Sequence, residues 1–171
     1  MEQEKQYLSE NMKNLLFEKM GEKLKTANMY KCMYYWLEYN QYTGFASMFK
    51  RMYRNKYYDY EKIEMYLLRR CVKPYVPEIP EMNHDFGTIK NVLTTSKELL
   101  EASEESYNKI YLECFKENDF ATINIVNDFI NSLVEEISKI KSCIDKLELV
   151  GDNEQALFIL DSEYKCDICE S

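Results

Sequence analysis

The clearest structural signal in the sequence is "INIVNDFINSLVEEISKIKSCIDKL" (residues 123–147). Its apolar residues alternate in steps of three and four: Ile123, Val126, Ile130, Leu133, Ile137, Ile140, Ile144 and Leu147. This spacing places them along one side of an α-helix, as the a and d positions of a heptad repeat. Gly151 follows as a helix-stop residue. The stretch therefore predicts a long helix that packs against other helices.

Three further long segments have helical periodicity, at about residues 8–40, 45–70 and 88–116. Their apolar residues recur at helix spacing. These residues are Leu24, Met29, Met33 and Trp36, then Phe45, Phe49, Met52, Ile63 and Leu67, then Ile89, Val92, Leu93, Leu99, Leu100, Tyr107 and Ile110. The sequence "DNEQALFILDSEY" after Gly151 predicts a short fifth helix. With only 4 Gly and 3 Pro in 171 residues, few residues interrupt these helices.

The connection between the second and third helices is long and contains all three prolines, in "CVKPYVPEIPEMNHDFG" (residues 71–87). Prolines at this density forbid a regular helix. About 17 extended residues cover more than 50 Å, which is enough to return along a helix of about 28 residues. The second and third helices therefore run parallel. The pattern predicts an all-α four-helix bundle with one long crossover and a short fifth helix.

Composition excludes several classes of protein. The net charge of −8 disfavours nucleic-acid binding, which needs surplus Lys and Arg. There is no apolar run of about 18 residues that would span a membrane, and the polar start has no signal-peptide core. We expect a cytoplasmic protein with one domain at residues 1–164 and a tail at 165–171. In the tail, Cys166 and Cys169 form half of a zinc or redox motif.

Three stretches resemble the non-haem bacterial ferritins. They are "YYWLEYNQYTGFASMF" (residues 34–49), "KENDFATINIV" (residues 116–126) and "IDKLELVGDNEQALFILDSEY" (residues 144–164). The resemblance extends from about residue 23 to residue 164. It implies a ferritin-like bundle that assembles as a homo-oligomeric, hollow 24-subunit shell. Such a shell takes up Fe(II), oxidises it with dioxygen and stores the ferric mineral inside.

The resemblance also implies a di-iron ferroxidase centre in each bundle, with ligands at six positions. The family has a Glu on the first helix, Glu-x-x-His on the second, a Glu on the third, and a Gln and a Glu on the fourth. In this chain those positions fall on Lys23, Lys56, Asp59, Leu100, Leu133 and Glu136. Glu101 takes the third-helix position if the register shifts by one. Only Glu136 keeps the family residue, and Asp59 is a possible but different ligand.

These substitutions predict a centre held together by charge pairs. Lys23 and Lys56 would face Asp59 and Glu136, so that the local charges sum to zero. A lysine ammonium also repels Fe(II) directly. We therefore expect a metal-free, salt-bridged centre and assign no catalytic residue. Whether any ferroxidase activity remains is left open by the sequence.

Iron binding elsewhere on the subunit is the remaining possibility. Glu61 and Glu64 lie near the position of the family's mineral-nucleation patch, or else form an ordinary solvated helix face. Glu135 matches a position that some bacterial members use as an extra iron ligand. With Asp59 and Glu136, these residues are the candidate metal ligands.

The turn before the fourth helix is a second candidate region, because in this family it lines the three-fold pores. Asn118, Asp119, Asn124 and Asp128 supply oxygen atoms there. The alternative role for Asn118 and Asp119 is helix capping, and the two roles can coexist. His84, the only histidine, is expected on the surface.

Two functions remain open at this point. The first is an iron-storage cage that has lost the oxidation centre inside its bundle, with iron entering at pores or binding to inner-surface carboxylates. The alternative is a structural or interaction cage protein that keeps only the fold. Co-assembly with an active partner subunit is not decided, and neither is the role of the tyrosines, including Tyr30 and Tyr57.

Overall fold

The computed structural model describes residues 7–165, and every regular element in that range is an α-helix. The helices are α1 (Glu10–Tyr39), α2 (Thr43–Arg69), α3 (Ile89–Glu117), α4 (Phe120–Val150) and α5 (Glu154–Glu163). The all-α prediction, with four long helices and a short fifth, is confirmed. No helix in this described range is long and apolar enough to cross a membrane.

Helices α1 and α2 form an antiparallel pair joined by a three-residue turn. The Ser9 side chain caps α1 by accepting a hydrogen bond from the backbone N–H of Met12. The buried stripe of α1 contains mainly apolar residues, but it also contains Lys19 and Lys23. The buried stripe of α2 similarly includes Lys56 and Asp59. Charged groups are therefore built into the centre of the bundle.

The long crossover, between Arg69 and Ile89, is anchored to α1 at two places. Near its end, Trp36 Nε1 donates to Asp85 Oδ1 at 3.1 Å, and the Trp36 ring meets buried Phe86 edge to face. Near its start, the Phe17 and Tyr75 rings lie 4.8 Å apart. These contacts hold an otherwise irregular segment along the bundle.

The core face of α4 differs in detail from the predicted heptad seam. Ile123, Val126, Leu133 and Ile140 are buried as predicted. The other four predicted residues are only half-buried and pack at the edge of the core: Ile130, Ile137, Ile144 and Leu147. Phe129 and Cys143 are buried instead. A straight helix has 3.6 residues per turn, so its core face drifts relative to a strict heptad. The drift brings Glu136, one residue before Ile137, toward the bundle centre.

Helix α5 is fastened to the start of α2 by one carboxylate. Asp161 is buried and accepts hydrogen bonds from the backbone N–H groups of Gly44 at 3.0 Å and Phe45 at 2.9 Å. The ring of Tyr164 stacks on Phe45 at 4.9 Å. Gly44 is required here, because a Cβ at this position would lie 1.6 Å from the carbonyl oxygen of Asp161.

Candidate functional site

Four charged side chains from three helices meet in the middle of the bundle. Lys23 Nζ of α1 donates to Asp59 Oδ2 of α2 at 2.9 Å. Lys56 Nζ of α2 forms an ion pair with Glu136 Oε2 of α4, and it lies 4.0 Å from Asp59 Oδ2. The structure thus brings together four of the six positions implied by the family resemblance, arranged as alternating charges.

The other two positions are filled by leucine. Leu100 of α3 and Leu133 of α4 are both buried, so neither offers a ligand atom. Glu101, the alternative at the third-helix position, is exposed and forms an ion pair with Lys97 at 2.9 Å. The register that places Leu100 on the core face is the one found in the structure.

A second polar layer, not predicted from the sequence, lies one helical turn from the four charges. Lys19 Nζ forms an ion pair with Glu22 at 2.8 Å. It also donates to the carbonyl oxygen and the hydroxyl of Ser103, at 3.0 and 2.8 Å, and to the Ser106 hydroxyl. Lys19 and Lys23 are spaced i, i+4 on the buried stripe of α1. This spacing of two lysines among the methionines and leucines of α1 is the feature of the sequence from which the second polar layer could have been predicted.

Tyr107 of α3 connects the two polar layers. The ammonium of Lys19 lies 3.5 Å from its ring centroid and that of Lys23 lies 5.1 Å away. The Tyr107 ring also stacks with the ring of Phe129, with centroids 5.6 Å apart. Tyr107 is buried, and its hydroxyl is one of two buried side-chain polar atoms in the described residues without a hydrogen-bond partner. The ring therefore serves mainly as a cation–π partner for buried ammonium groups.

Burial governs the electrostatics of this region. It lowers the pKa of Lys19 to about 7, and the attraction of Glu22 offsets only part of the effect. Burial also lowers the pKa of Lys23, and the nearby charge of Lys56 lowers it further, against the attraction of Asp59. For Glu22, burial alone would raise the pKa. The charge of Lys19 and its hydrogen bond outweigh that effect, so the pKa of Glu22 is lowered.

The residues of this centre do not fit a resident di-iron group. Iron needs carboxylate and imidazole donors that are free to coordinate it. Here Asp59 and Glu136 accept from lysines, two positions are leucines, and two ammonium groups stand where the family has glutamates. Across residues 7–165 there is no group of three or more His, Cys, Asp or Glu residues placed to hold a metal ion.

Glu61, Asn124 and Asp128 lie together on the surface, although they were predicted for two different roles. All three are exposed and line one open groove between α2 and α4, with Tyr58 and Lys62. Glu64 is not among the lining residues of this groove. Its carboxylate accepts a hydrogen bond from the Tyr60 hydroxyl at 2.7 Å.

Asn118 and Asp119 act as helix caps. Asn118 has left-handed backbone geometry, with φ of 56°, and ends α3. The Asp119 carboxylate caps α4 by accepting from the Thr122 N–H at 3.2 Å, and it forms an ion pair with Arg70 at 3.4 Å. The capping alternative is therefore realised for both residues.

Two remaining candidates, Glu135 and His84, lie away from the bundle centre. Glu135 is exposed, although it adjoins Glu136 in sequence, and His84 is exposed in the crossover. The predicted Cys166 and Cys169 motif lies outside the described residues. Neither Glu135 nor His84 takes part in the charge network at the centre.

Comparison with known proteins shows the same fold and a distant sequence relationship. The chain is 28% identical to a bacterial non-heme ferritin of Staphylococcus aureus over 159 residues, covering 91% of this chain and 94% of that protein. It is 24% identical to a probable bacterial non-heme ferritin-like protein of Haemophilus influenzae, with the same coverage. Solved structures include an open-pore ferritin from Archaeoglobus fulgidus, with a TM-score of 0.88 at 20% identity, covering 92% of this chain and 96% of that chain. The family model described as a ferritin-like domain matches residues 13–150, and the chain therefore belongs to the ferritin-like family.

Proposed function

We propose that this chain is an iron-storage ferritin subunit of a homo-oligomeric, cytoplasmic 24-subunit shell whose bundle centre is structural. Two ion pairs carry the proposal, Lys23 with Asp59 and Lys56 with Glu136. They lie at positions that the family resemblance implies for iron ligands. The sequence relationship to bacterial non-heme ferritins over most of both chains supports the iron-storage role.

The ion pairs oppose iron binding for a physical reason. A metal ion at Asp59 and Glu136 would have to displace two buried ammonium groups. Their side chains are each about 3% exposed, so they would lose their partners without gaining water. Leaving buried charges unpaired costs several kcal/mol, about 3 to 5 in measured cases. We infer that the lysines replace the metal as the counter-charge of the carboxylates.

Iron would instead meet the protein at exposed oxygen donors. Glu61, Asn124 and Asp128 line the groove of α2 and α4 and are open to water. Carboxylate and amide oxygens suit a weak, hydrated iron site, although Lys62 and Arg69 in the same groove reduce the local negative potential. We propose this groove as the place where iron first binds, either for entry or for mineral growth.

Aerobic addition of Fe(II) to the assembled protein tests the proposal. We expect slow oxidation and a dense iron core that migrates with the protein on a native gel. A triple variant, Lys23→Glu with Lys56→Glu and Asp59→His, gives four of the six positions the ligand types of the family, with Glu136 as the fourth, and should speed oxidation. Rapid oxidation by the wild-type protein would contradict a structural centre. No loading above a protein-free control would favour the structural or interaction cage protein.

A matched control separates ligand chemistry from charge. The double variant Lys109→Glu with Lys141→Gln makes the same change in net charge as the triple variant, at exposed positions outside both the centre and the groove. We expect it to leave the oxidation rate unchanged. Equal acceleration in both variants would mean that surface potential, not the centre, controls the rate.

A further inference from the structure

Four tyrosines of α1 and α2 lie ring against ring on one face of this helix pair. The ring centroids of Tyr35 and Tyr34 are 5.3 Å apart, those of Tyr34 and Tyr53 are 5.9 Å apart, and those of Tyr53 and Tyr57 are 6.2 Å apart. Tyr35 is exposed and the other three are half-buried. This tyrosine array takes no part in the charged centre or the groove described above.

Within the array, the pair Tyr34 and Tyr53 differs from the other two contacts. It joins two helices, whereas the other contacts lie within one helix. Its rings are inclined by 39°, so their edges can meet. The rings of Tyr53 and Tyr57 are nearly perpendicular at 88°, an arrangement that points an edge at a face. Tyr34 and Tyr53 are thus the pair of the array in which a bond between ring carbons would join the two helices.

We propose that Tyr34 and Tyr53 form an oxidative cross-linking site that joins α1 to α2 through a dityrosine bond. A hydroxyl radical, or another one-electron oxidant, takes a hydrogen atom from each phenol and leaves two tyrosyl radicals and two water molecules. The radicals couple through ring carbons next to the phenolic carbons. Each coupled carbon then gives up its hydrogen, which returns to the phenol oxygen. In sum, two phenols and two hydroxyl radicals give one dityrosine and two waters.

The surroundings of the pair favour loss of an electron together with a proton. Lys50 Nζ lies 5.6 Å from the Tyr34 ring and Lys31 Nζ lies 5.9 Å from the Tyr53 ring. A cation beside a ring opposes a build-up of positive charge on it, so a neutral radical is the accessible product. Both tyrosines are half-buried, and water can reach the pair to accept the protons.

Tyr35 and Tyr57, the outer members of the array, are additional rings with which an oxidant can react. Tyr35 is exposed beside Tyr34, and a radical formed there can be passed to Tyr34 by hydrogen-atom or electron exchange between contacting rings. Tyr57, at the other end, donates its hydroxyl hydrogen to Asn28 Oδ1 at 2.7 Å. The proposal does not depend on iron storage, since any one-electron oxidant serves.

The test uses the assembled protein with a ruthenium(II) polypyridyl photosensitiser and persulfate in visible light. Trypsin releases Tyr53 in the peptide of residues 52–54, where it is the sole tyrosine, and Tyr34 in the peptide of residues 32–50. We expect these two peptides joined, two hydrogen atoms lighter than their sum, with fragmentation placing the bond at Tyr34. The joined peptides should come from the single-chain band of a denaturing gel.

Two variants complete the experiment. Tyr34→Phe should abolish the joined peptides and most dityrosine fluorescence, while the control Tyr39→Phe should leave both unchanged. Tyr39 lies on the same peptide and is 86% exposed, but it makes no tyrosine–tyrosine ring contact among those found in residues 7–165. The proposal is overturned if wild-type protein gives no such cross-link, if the cross-link is confined to the two-chain band, or if peptide 52–54 joins Tyr39 in equal yield.

Discussion

Lys23 Nζ and Asp59 Oδ2 lie 2.9 Å apart in the middle of the bundle, with side chains only 3% and 13% exposed. The two residues come from different helices, so the pair also fixes the contact between α1 and α2. Both charges have lost most of their water, and each depends on the other to replace it. The pair therefore makes the centre stable only as long as both partners are present.

Lys23→Met should be strongly destabilising. It leaves the Asp59 carboxylate buried with Lys56 as its remaining cation, 4.0 Å away. Removing one partner of a buried ion pair costs about 3 to 5 kcal/mol, and the distant Lys56 should hold the loss near the lower end. Urea denaturation of the assembled protein measures the change in the free energy of unfolding.

The double variant Lys23→Met with Asp59→Leu is the matched comparison. It removes both charges and leaves Lys56 paired with Glu136. Replacing a whole buried pair by apolar residues is often close to neutral, so most of the lost stability should return. If the double variant is as unstable as the single one, the centre is held by side-chain packing and not by charge pairing.

The helices could be predicted well because their signals are local. The apolar spacing from Ile123 to Leu147 predicts α4 whichever partners surround it, and the prolines of the crossover interrupt any helix. The heptad reading nevertheless assigned Ile137 to the core seam, while the structure brings Glu136 into the centre. A difference of about 20° per heptad between a straight helix and a supercoil decides which neighbour faces inward.

The charge network was only partly predictable because its members are far apart in the chain. The sequence placed Lys23, Lys56, Asp59 and Glu136 together through the family resemblance. Nothing local links Lys19 with Ser103, which lies 84 residues away and was not predicted. A lysine on a buried stripe is easily assigned to the surface, since lysine is almost never fully buried without partners.

Lys19 should make stability depend on pH. Burial lowers its pKa to about 7 in the folded protein, against 10.5 in the unfolded chain, so the unfolded chain binds more protons between these values. Stability contributed by this group therefore rises as the pH increases through that window, by at most about 1.4 kcal/mol per pH unit. Between about pH 7 and about pH 9, the wild type should gain about 1 to 2 kcal/mol relative to Lys19→Met.

The quantity to measure at each pH is the difference in the free energy of unfolding between the wild type and Lys19→Met. Lys23, whose pKa is also lowered, contributes to the pH dependence of both proteins, so neither profile alone reports Lys19. Lys19→Met should be less stable at every pH, since Glu22 and the hydroxyl groups of Ser103 and Ser106 lose a donor. Parallel pH profiles for the two proteins would show that Lys19 keeps its proton throughout, with Glu22 and the serines compensating for burial.

Gly44→Ala should detach α5 from the start of α2. The new Cβ would lie 1.6 Å from the carbonyl oxygen of Asp161, so the helix must move, and both hydrogen bonds that the Asp161 carboxylate accepts from Gly44 and Phe45 are lost. We expect a cost of about 3 kcal/mol and faster hydrogen exchange in α5. Gly21→Ala is the control, since its Cβ would make ordinary contact with Pro77 at 3.6 Å. That change should stabilise α1 by up to about 1 kcal/mol, and equal destabilisation by both variants would argue against the clash.

Substitutions of Asp119 and Asp128 should affect different properties of the protein. Asp119→Ala should lower stability, and Asp128→Ala should slow iron uptake. Asp119→Ala removes the cap of α4 and the ion pair with Arg70, which should cost about 1 to 2 kcal/mol and leave iron loading per folded protein unchanged. Asp128→Ala changes an exposed residue of the groove, so stability should stay within about 0.5 kcal/mol while aerobic iron loading slows. Both quantities are measured on the same assembled samples, by urea denaturation and by iron content after native electrophoresis. If Asp119→Ala slows loading and Asp128→Ala does not, the path of iron runs through the turn before α4 and not through the groove.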